Sequence, residues 1–323
     1  MRDAMEIDFL AVSHNINKNI KQTGAWLVAN RDTENIFTLL FTYSDMRHLM
    51  ADPEPAKGPE GKAYRSESLM NGPASQADPA ALVYFRESCT EFTNSFKLAE
   101  SSFYRYAFAA LRNALEAGIM SIISEEPGVT LDPTRSPGQG LQQLPDKEMI
   151  DALGRISNVR TFCKRSDIIE RCRELHQELS GFSGGKNVVQ GLGREVPPVS
   201  AGFDEKVFIR WSVSLRKTIR LLLTLFVLKY PVAMMDTPVE KKFSTGIRGG
   251  PFLNSEEREC LVELLDGDDL DILIEITKND PYAIGQAAGV NSYPDIVEEE
   301  FSQQLKGFKK ELHKISTGKI GGL

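Results

Sequence analysis

The 323-residue sequence is poor in β-strand signals, in paired cysteines and in long apolar runs. No alternating apolar and polar run bounded by turn residues is found, so we expect few strands. The four cysteines form no CxxC pair, and the first ten residues lack a basic region followed by an apolar run. We therefore expect reduced thiols in a cytoplasmic protein without a signal peptide. The longest apolar run, residues 221–230, is interrupted by Thr224 and Lys229. It is shorter than the roughly 20 residues of a membrane span. We therefore expect this run to form a buried core helix, and we expect no membrane partner.

An excess of positive charge is also missing. The sequence has 38 Lys and Arg residues against 45 Asp and Glu residues, which gives a net charge of -7. A protein dedicated to duplex DNA would carry a basic footprint, so we expect no duplex DNA partner. A nuclease needs only a local basic patch, and that class of protein stays open.

Motifs for metals, nucleotides and serine hydrolysis are absent as well. His14, His48 and His313 have no neighbours at metal-ligand spacing, and no Gly-x-Ser-x-Gly elbow is present. The segment around Gly185 and Lys186 lacks the earlier glycine and the Ser or Thr of a phosphate-binding loop. We therefore expect no metal and no cofactor.

Helical periodicity recurs along the chain instead. Loops rich in Pro or Gly are expected at 51–78, 127–145 and 181–202, and a linker at 236–252. Helices are expected at about 7–27, 33–50, 79–126 with a break near 100–102, 166–185, 203–235, 255–265, 269–278 and 297–315. The sequence thus predicts an all-α protein, with a helical bundle at 1–235 and a smaller helical C-terminal domain at 236–323.

The segment 166–185, SDIIERCRELHQELSGFSGG, contains one of only four histidines, in an Arg171-x4-His176 pair. At about 100° per residue, its large apolar side chains fall within one narrow stripe. This apolar stripe comprises Ile168, Cys172, Leu175, Leu179 and Phe182. Arg171 and His176 flank the stripe about 140° apart and diverge within one helix. Two copies packed about a twofold axis could join them in a dimeric site; the alternative is a polar flank on an ordinary amphipathic helix.

An earlier helix, SSFYRYAFAALRNALEAGIMSIISEE at 101–126, carries polar residues beside its own core stripe. Arg112 and Glu116 are four residues apart, which is the spacing of a helix ion pair worth about 0.3–0.5 kcal/mol when exposed. An ion pair that stabilises the helix is enough to explain these two residues. A partly buried Arg beside Asn113 is harder to explain by stability alone.

Together, "LRNALE" and "CRELHQELSGF" resemble the HEPN superfamily of all-α domains, over residues 79–235 at most. Many members of that superfamily act as toxins or in antiviral defence, and members are typically metal-independent RNases with paired subunits. The resemblance implies Arg171 and His176 as catalytic residues. It implies a supporting role for Arg112, Asn113 and Glu116.

Basic side chains near these helices are candidates for binding single-stranded RNA. They are Lys164, Arg165 and Arg173 around the Arg171 helix, and Arg210, Lys217 and Arg220 on the later apolar helix. A solvated basic edge on a core helix explains the second set equally well. The sequence therefore predicts a metal-independent RNase that is a homodimer. The competing hypothesis is a non-catalytic helical module, a degenerate relative of the same scaffold, that binds a protein partner.

Overall fold

The all-α class is confirmed by the computed structural model of the chain. The structure describes residues 9–30, 36–46, 56–57, 63–64, 79–124, 126, 129, 146–183, 202–235, 253, 255–265, 267–291 and 306. The α-helices in these ranges are α1 (Phe9–Ala29), α2 (Ile36–Asp45), α3 (Pro79–Glu100), α4 (Tyr104–Ile123), α5 (Asp146–Ala152), α6 (Ser157–Phe162), α7 (Ile168–Ser183), α8 (Glu205–Lys229), α9 (Ser255–Leu264), α10 (Gly267–Asn279) and α11 (Pro281–Asn291). The described residues also contain two short 3-10 helices, Leu153–Arg155 and Pro231–Met234. One antiparallel pair of two-residue strands is present as well, β1 (Ala56–Lys57) and β2 (Ala63–Tyr64).

The chain divides into two compact units. The first comprises Met1–Asp45 and Pro79–Leu225, and the second comprises Met46–Asp78 and Phe226–Leu323. Every residue predicted for a site belongs to the first unit. The domain boundary expected at residue 235 stays a prediction.

Helices α3 and α4 form an antiparallel pair at the centre of the first unit. The break predicted near residues 100–102 is confirmed, and Ser102 makes the reversal with a positive φ of 65°. Hydroxyl groups of α3 fix its register against α4, because Ser95 donates to the Ala107 carbonyl and Ser88 donates to the Ala114 carbonyl, both at 2.8 Å. Because α4 is buried along almost its whole length, it is the core helix on which its neighbours pack.

Helix α2 is fastened to this pair by a short chain of hydrogen bonds. The Tyr43 and Ser88 hydroxyl oxygens are 2.8 Å apart, and the single Ser88 proton goes to the Ala114 carbonyl. Tyr43 must therefore be the donor to Ser88. Burial raises the pKa of Tyr43 well above its usual value, and the nearby Cys89 adds to this.

Helix α8 packs closely on α3 and α4. The indole Nε1 of Trp211 donates to the Ser95 hydroxyl at 2.9 Å. Further along the helix, a Cβ placed on Gly118 would lie 2.6 Å from Leu222 Cδ1, so an alanine here would force the buried Leu222 side chain to move. The residues of α8 from 221 to 228 are all buried, as the long apolar run predicted.

Other helix predictions are confirmed or extended. The helices expected at 7–27, 33–50, 166–185, 203–235, 255–265 and 269–278 are found within those ranges or close to them. Helices α5, α6 and α11 were not expected; they are short, and their periodicity is correspondingly weak. The helix expected at 297–315 lies outside the described residues, except for Lys306, which is helical.

In the second unit, the 3-10 helix Pro231–Met234 packs with α10 and α11. Val232 and Ala283 form a small buried cluster there, with Met235 and Tyr282 packed against it. Among the described helices, none combines the length and the apolar character needed to cross a bilayer.

Candidate active site

The apolar stripe of α7 is buried, as its spacing predicted. It packs inside the first unit against α4, where the Phe182 and Phe108 rings are 4.4 Å apart between centroids. Because α4 covers the stripe, two copies of the chain cannot use it as their seam. The predicted homodimer stays a prediction and needs another surface.

His176 lies at the border of this stripe and reaches across to α4. Its Nε2 atom is 2.9 Å from Glu116 Oε1, and the two side chains are only 10% and 9% exposed. A hydrogen bond between two such buried groups is only weakly screened by solvent. The contact therefore fixes the orientation of the imidazole relative to α4.

Arg112 joins the same carboxylate from one turn earlier on α4. Its Nε atom is 3.2 Å from Glu116 Oε1, which confirms the ion pair predicted from the four-residue spacing. The angle does not suit a hydrogen bond, and the buried Nε atom has no hydrogen-bond partner among the described residues. Arg112 therefore acts on Glu116 mainly through charge.

A second carboxylate borders the imidazole, and the sequence did not indicate it. Asp146, the first residue of α5, places its Oδ2 atom 3.7 Å from His176 Nε2, and its side chain is 67% exposed. One ligand atom each from Glu116, Asp146 and His176 lie within 4.8 Å of one another. We call these three residues the carboxylate–histidine cluster. Its Nε2 side borders the protein surface, because Asp146 is largely exposed.

Arg171 lies about 140° around α7 from His176. Its Nη1 atom lies 3.4 Å from the Ser166 hydroxyl, on the other flank of the helix. Asn113, predicted to support the site, is exposed and donates to Glu91 Oε2 at 3.4 Å. Of the residues implied by the resemblance, the structure thus joins Arg112, Glu116 and His176.

The candidate RNA-binding residues of the first set differ in their surroundings. Lys164 and Arg165 are exposed between α6 and α7. Arg173 forms ion pairs with Asp151, at 2.7 Å, and with Glu170. Because Arg173 already has two carboxylate partners, it would have to leave these ion pairs to meet a phosphate.

The second set lies on α8. Arg210 stacks over the Phe182 ring, with its guanidinium carbon 4.6 Å from the ring centroid. Lys217 lies 3.3 Å from Glu178 Oε2, and Arg220 is half-buried. These contacts explain the three side chains as parts of the packed surface, and RNA binding by them stays a prediction.

Cys172 lies between Arg171 and Arg173 on α7 but belongs to the core. Burial raises the pKa of its thiol to about 12, an effect to which Cys163 adds and which the two arginines oppose. A thiol with this pKa is almost entirely protonated near neutral pH, so Cys172 is not a nucleophile.

The described geometry therefore offers one polar cluster with acid–base groups at its surface border. Comparison of the chain with protein-family models, with curated proteins and with solved structures returned no match.

Proposed function

We propose that this protein is a metal-independent RNase of the kind that the HEPN resemblance implies, acting in a toxin or antiviral defence setting in the cytoplasm. The buried hydrogen bond between Glu116 and His176, at 2.9 Å, carries the proposal. A carboxylate that orients a histidine is a recurrent arrangement in acid–base catalysis.

The hydrogen bond selects which imidazole nitrogen can accept a proton. An ionised Glu116 accepts only, so His176 Nε2 carries the hydrogen. In the neutral ring, the lone pair is then on Nδ1. Removal of the carboxylate would leave the two tautomers free to exchange, so Glu116 acts as a positioning residue.

The proposed reaction needs no metal. His176 Nδ1 takes the proton of an RNA 2′-hydroxyl, and the 2′-oxygen attacks the adjacent phosphorus. The bond from phosphorus to the 5′-oxygen breaks, and the leaving oxygen receives a proton from the imidazolium through water. The products are a 2′,3′-cyclic phosphate and a 5′-hydroxyl end.

Guanidinium groups would balance the charge that gathers on the phosphoryl oxygens. Arg171 is the candidate that the resemblance implies, and Arg112 is the guanidinium that contacts Glu116. Lys164 and Arg165 would bind the backbone of a single strand, since both are exposed near the start of α7.

The test is cleavage of single-stranded RNA by purified protein in EDTA. His176→Gln keeps an amide donor for Glu116 but cannot transfer protons, so we expect a loss of at least about 10²-fold in rate. Arg171→Gln should lose about 10²-fold if this guanidinium meets the phosphate. Arg173→Gln, on the same helix, is the matched control and should lose much less.

Each variant is first checked by circular dichroism and thermal melting, because His176 is buried. Folded His176→Gln protein that cleaves RNA as fast as the unsubstituted protein would contradict the assignment. Products without a cyclic phosphate would contradict the reaction.

A second candidate function is a non-catalytic helical module that binds a protein partner. Phe37 and Phe41 support it, because they lie one turn apart on α2 with 62% and 70% of their surface exposed. Adjacent exposed aromatic side chains are typical of interaction surfaces. This candidate predicts that folded protein leaves RNA intact and that Phe41→Ser abolishes partner binding.

A further inference from the structure

We propose that the carboxylate–histidine cluster is a binding site for one divalent transition-metal ion, for which Zn²⁺ is the best match. The inference starts from the spacing of its ligand atoms. Zn²⁺ holds nitrogen and oxygen ligands at about 2.0–2.2 Å, and a tetrahedron of that size separates ligand atoms by about 3.4 Å. His176 Nε2 lies 2.9 Å from Glu116 Oε1 and 3.7 Å from Asp146 Oδ2, on either side of that value.

The kinds of ligand atom favour zinc over magnesium or calcium. One imidazole nitrogen and two carboxylate oxygens suit Zn²⁺ and its neighbours in the first transition series. Mg²⁺ and Ca²⁺ prefer six or more oxygen ligands, and three protein ligands would not satisfy them. With three protein ligands, a tetrahedral Zn²⁺ ion would keep one position for water.

The local charge also favours a cation. Glu116 and Asp146 contribute two negative charges, Arg112 contributes one positive charge, and a neutral imidazole leaves the group at -1. Arg112 Nε lies 3.2 Å from Oε1, the same Glu116 oxygen that faces His176, so a bound ion would share this oxygen with the guanidinium. Asp146 provides the entry, because it is exposed while the other two ligands are buried.

Occupancy would regulate the reaction proposed above. A metal on Nε2 requires the remaining ring hydrogen to be on Nδ1, so the lone pair that accepts the 2′-hydroxyl proton is lost. The ion would therefore inhibit RNA cleavage. This regulatory consequence rests on the proposed function, whereas metal binding itself does not.

Metal binding is measured first, on full-length protein without an affinity tag. Co²⁺ is titrated and followed by its visible absorption, and Zn²⁺ is titrated by calorimetry and in competition with Co²⁺. We expect one ion per chain. Asp146→Asn alters one of the three proposed ligands. It should weaken Zn²⁺ binding by at least the roughly tenfold loss that is typical when a group supporting a ligand is removed. This exposed residue can be changed without disturbing the core.

Two matched controls separate this site from adventitious binding. Asp151→Asn removes another exposed carboxylate of α5, and His14→Gln removes an exposed imidazole of α1. Both should bind Zn²⁺ as the unsubstituted protein does. His176→Gln should lose the Co²⁺ absorption. Equal Zn²⁺ affinity in the Asp146→Asn and Asp151→Asn proteins would overturn the proposal, as would Co²⁺ absorption that survives His176→Gln.

The same proteins are then assayed for RNA cleavage in EDTA and in excess Zn²⁺. We expect Zn²⁺ to inhibit the unsubstituted protein and to inhibit Asp146→Asn only at higher concentration. Zn²⁺ binding at this site without cleavage in either condition would refute the RNase and leave the metal site standing. Cleavage in EDTA without any Zn²⁺ binding would refute the metal site and leave the RNase standing.

Discussion

The contact between Glu116 and His176 predicts a measurable coupling between two helices. The perturbation is a double-mutant cycle with Glu116→Ala, His176→Ala and the double variant. Hydrogen bonds to charged groups contribute about 1.5–3 kcal/mol to stability. Since the two side chains are 9% and 10% exposed, we expect a coupling free energy of about 2 kcal/mol within this range.

The double variant should lose less unfolding free energy than the two single variants lose together. His176→Ala leaves Glu116 buried with Arg112 and the exposed carboxylate of Asp146 as charged neighbours. Loss of a partner from a buried pair costs about 3–5 kcal/mol. The lower end is expected here, because Arg112 still compensates the carboxylate. In the double variant the isolated charge is gone, so the loss should be smaller than the sum of the two single losses.

The assay is urea unfolding followed by tryptophan fluorescence. The chain has two tryptophans, Trp26 and Trp211, and both belong to the first unit with the cluster. Their signal therefore reports the unit in which the substitutions are made. A coupling free energy below about 0.5 kcal/mol, within the error of additive behaviour, would refute the role of this contact in joining α4 to α7.

Two further predictions concern the core of the first unit. Gly118→Ala should destabilise it by about 1–2 kcal/mol, since a Cβ 2.6 Å from Leu222 Cδ1 overpacks the contact by more than the alanine helix propensity compensates. Gly24→Ala on α1 is the control, because its Cβ would meet no atom within 4 Å. This variant should raise the free energy of unfolding by up to about 1 kcal/mol. Equal urea midpoints for the two variants would contradict the packing argument. Separately, the Cys172 thiol should resist iodoacetamide at pH 8 in folded protein, because its pKa is raised to about 12. The half-buried Cys163 should react under the same conditions. Mass spectrometry of peptides measures the modification of each thiol. Labelling of both thiols at one rate would show that Cys172 is not held in the core.

The helices were largely predictable, because periodicity is a local property of the sequence. The apolar stripe of α7 and the break between α3 and α4 were read from spacing alone, and the structure confirms both. Helices α5 and α6 were missed because seven and six residues span too few turns to show a period. The stripe also did not reveal its partner, since spacing cannot distinguish α4 of the same chain from a second copy.

The cluster was predictable only in part, for the same physical reason. Arg112 and Glu116 share one helix, so their contact follows from four-residue spacing. The contact between Glu116 and His176 joins residues 60 positions apart, and the resemblance placed both at one site without giving their geometry. Asp146 carried no signal, because its distance to His176 depends on how α5 lies against α4 and α7.

The hydrogen bonds between the hydroxyl groups that join α2, α3 and α4 can run in only one direction. Ser88 has one hydrogen and gives it to Ala114, so it can only receive from Tyr43. A tyrosinate at position 43 would accept that hydrogen instead, so the bond from Ser88 to the α4 carbonyl would be lost. Strong alkali should therefore loosen the attachment of α2 late, after the exposed phenols have ionised, because burial keeps Tyr43 in its neutral form.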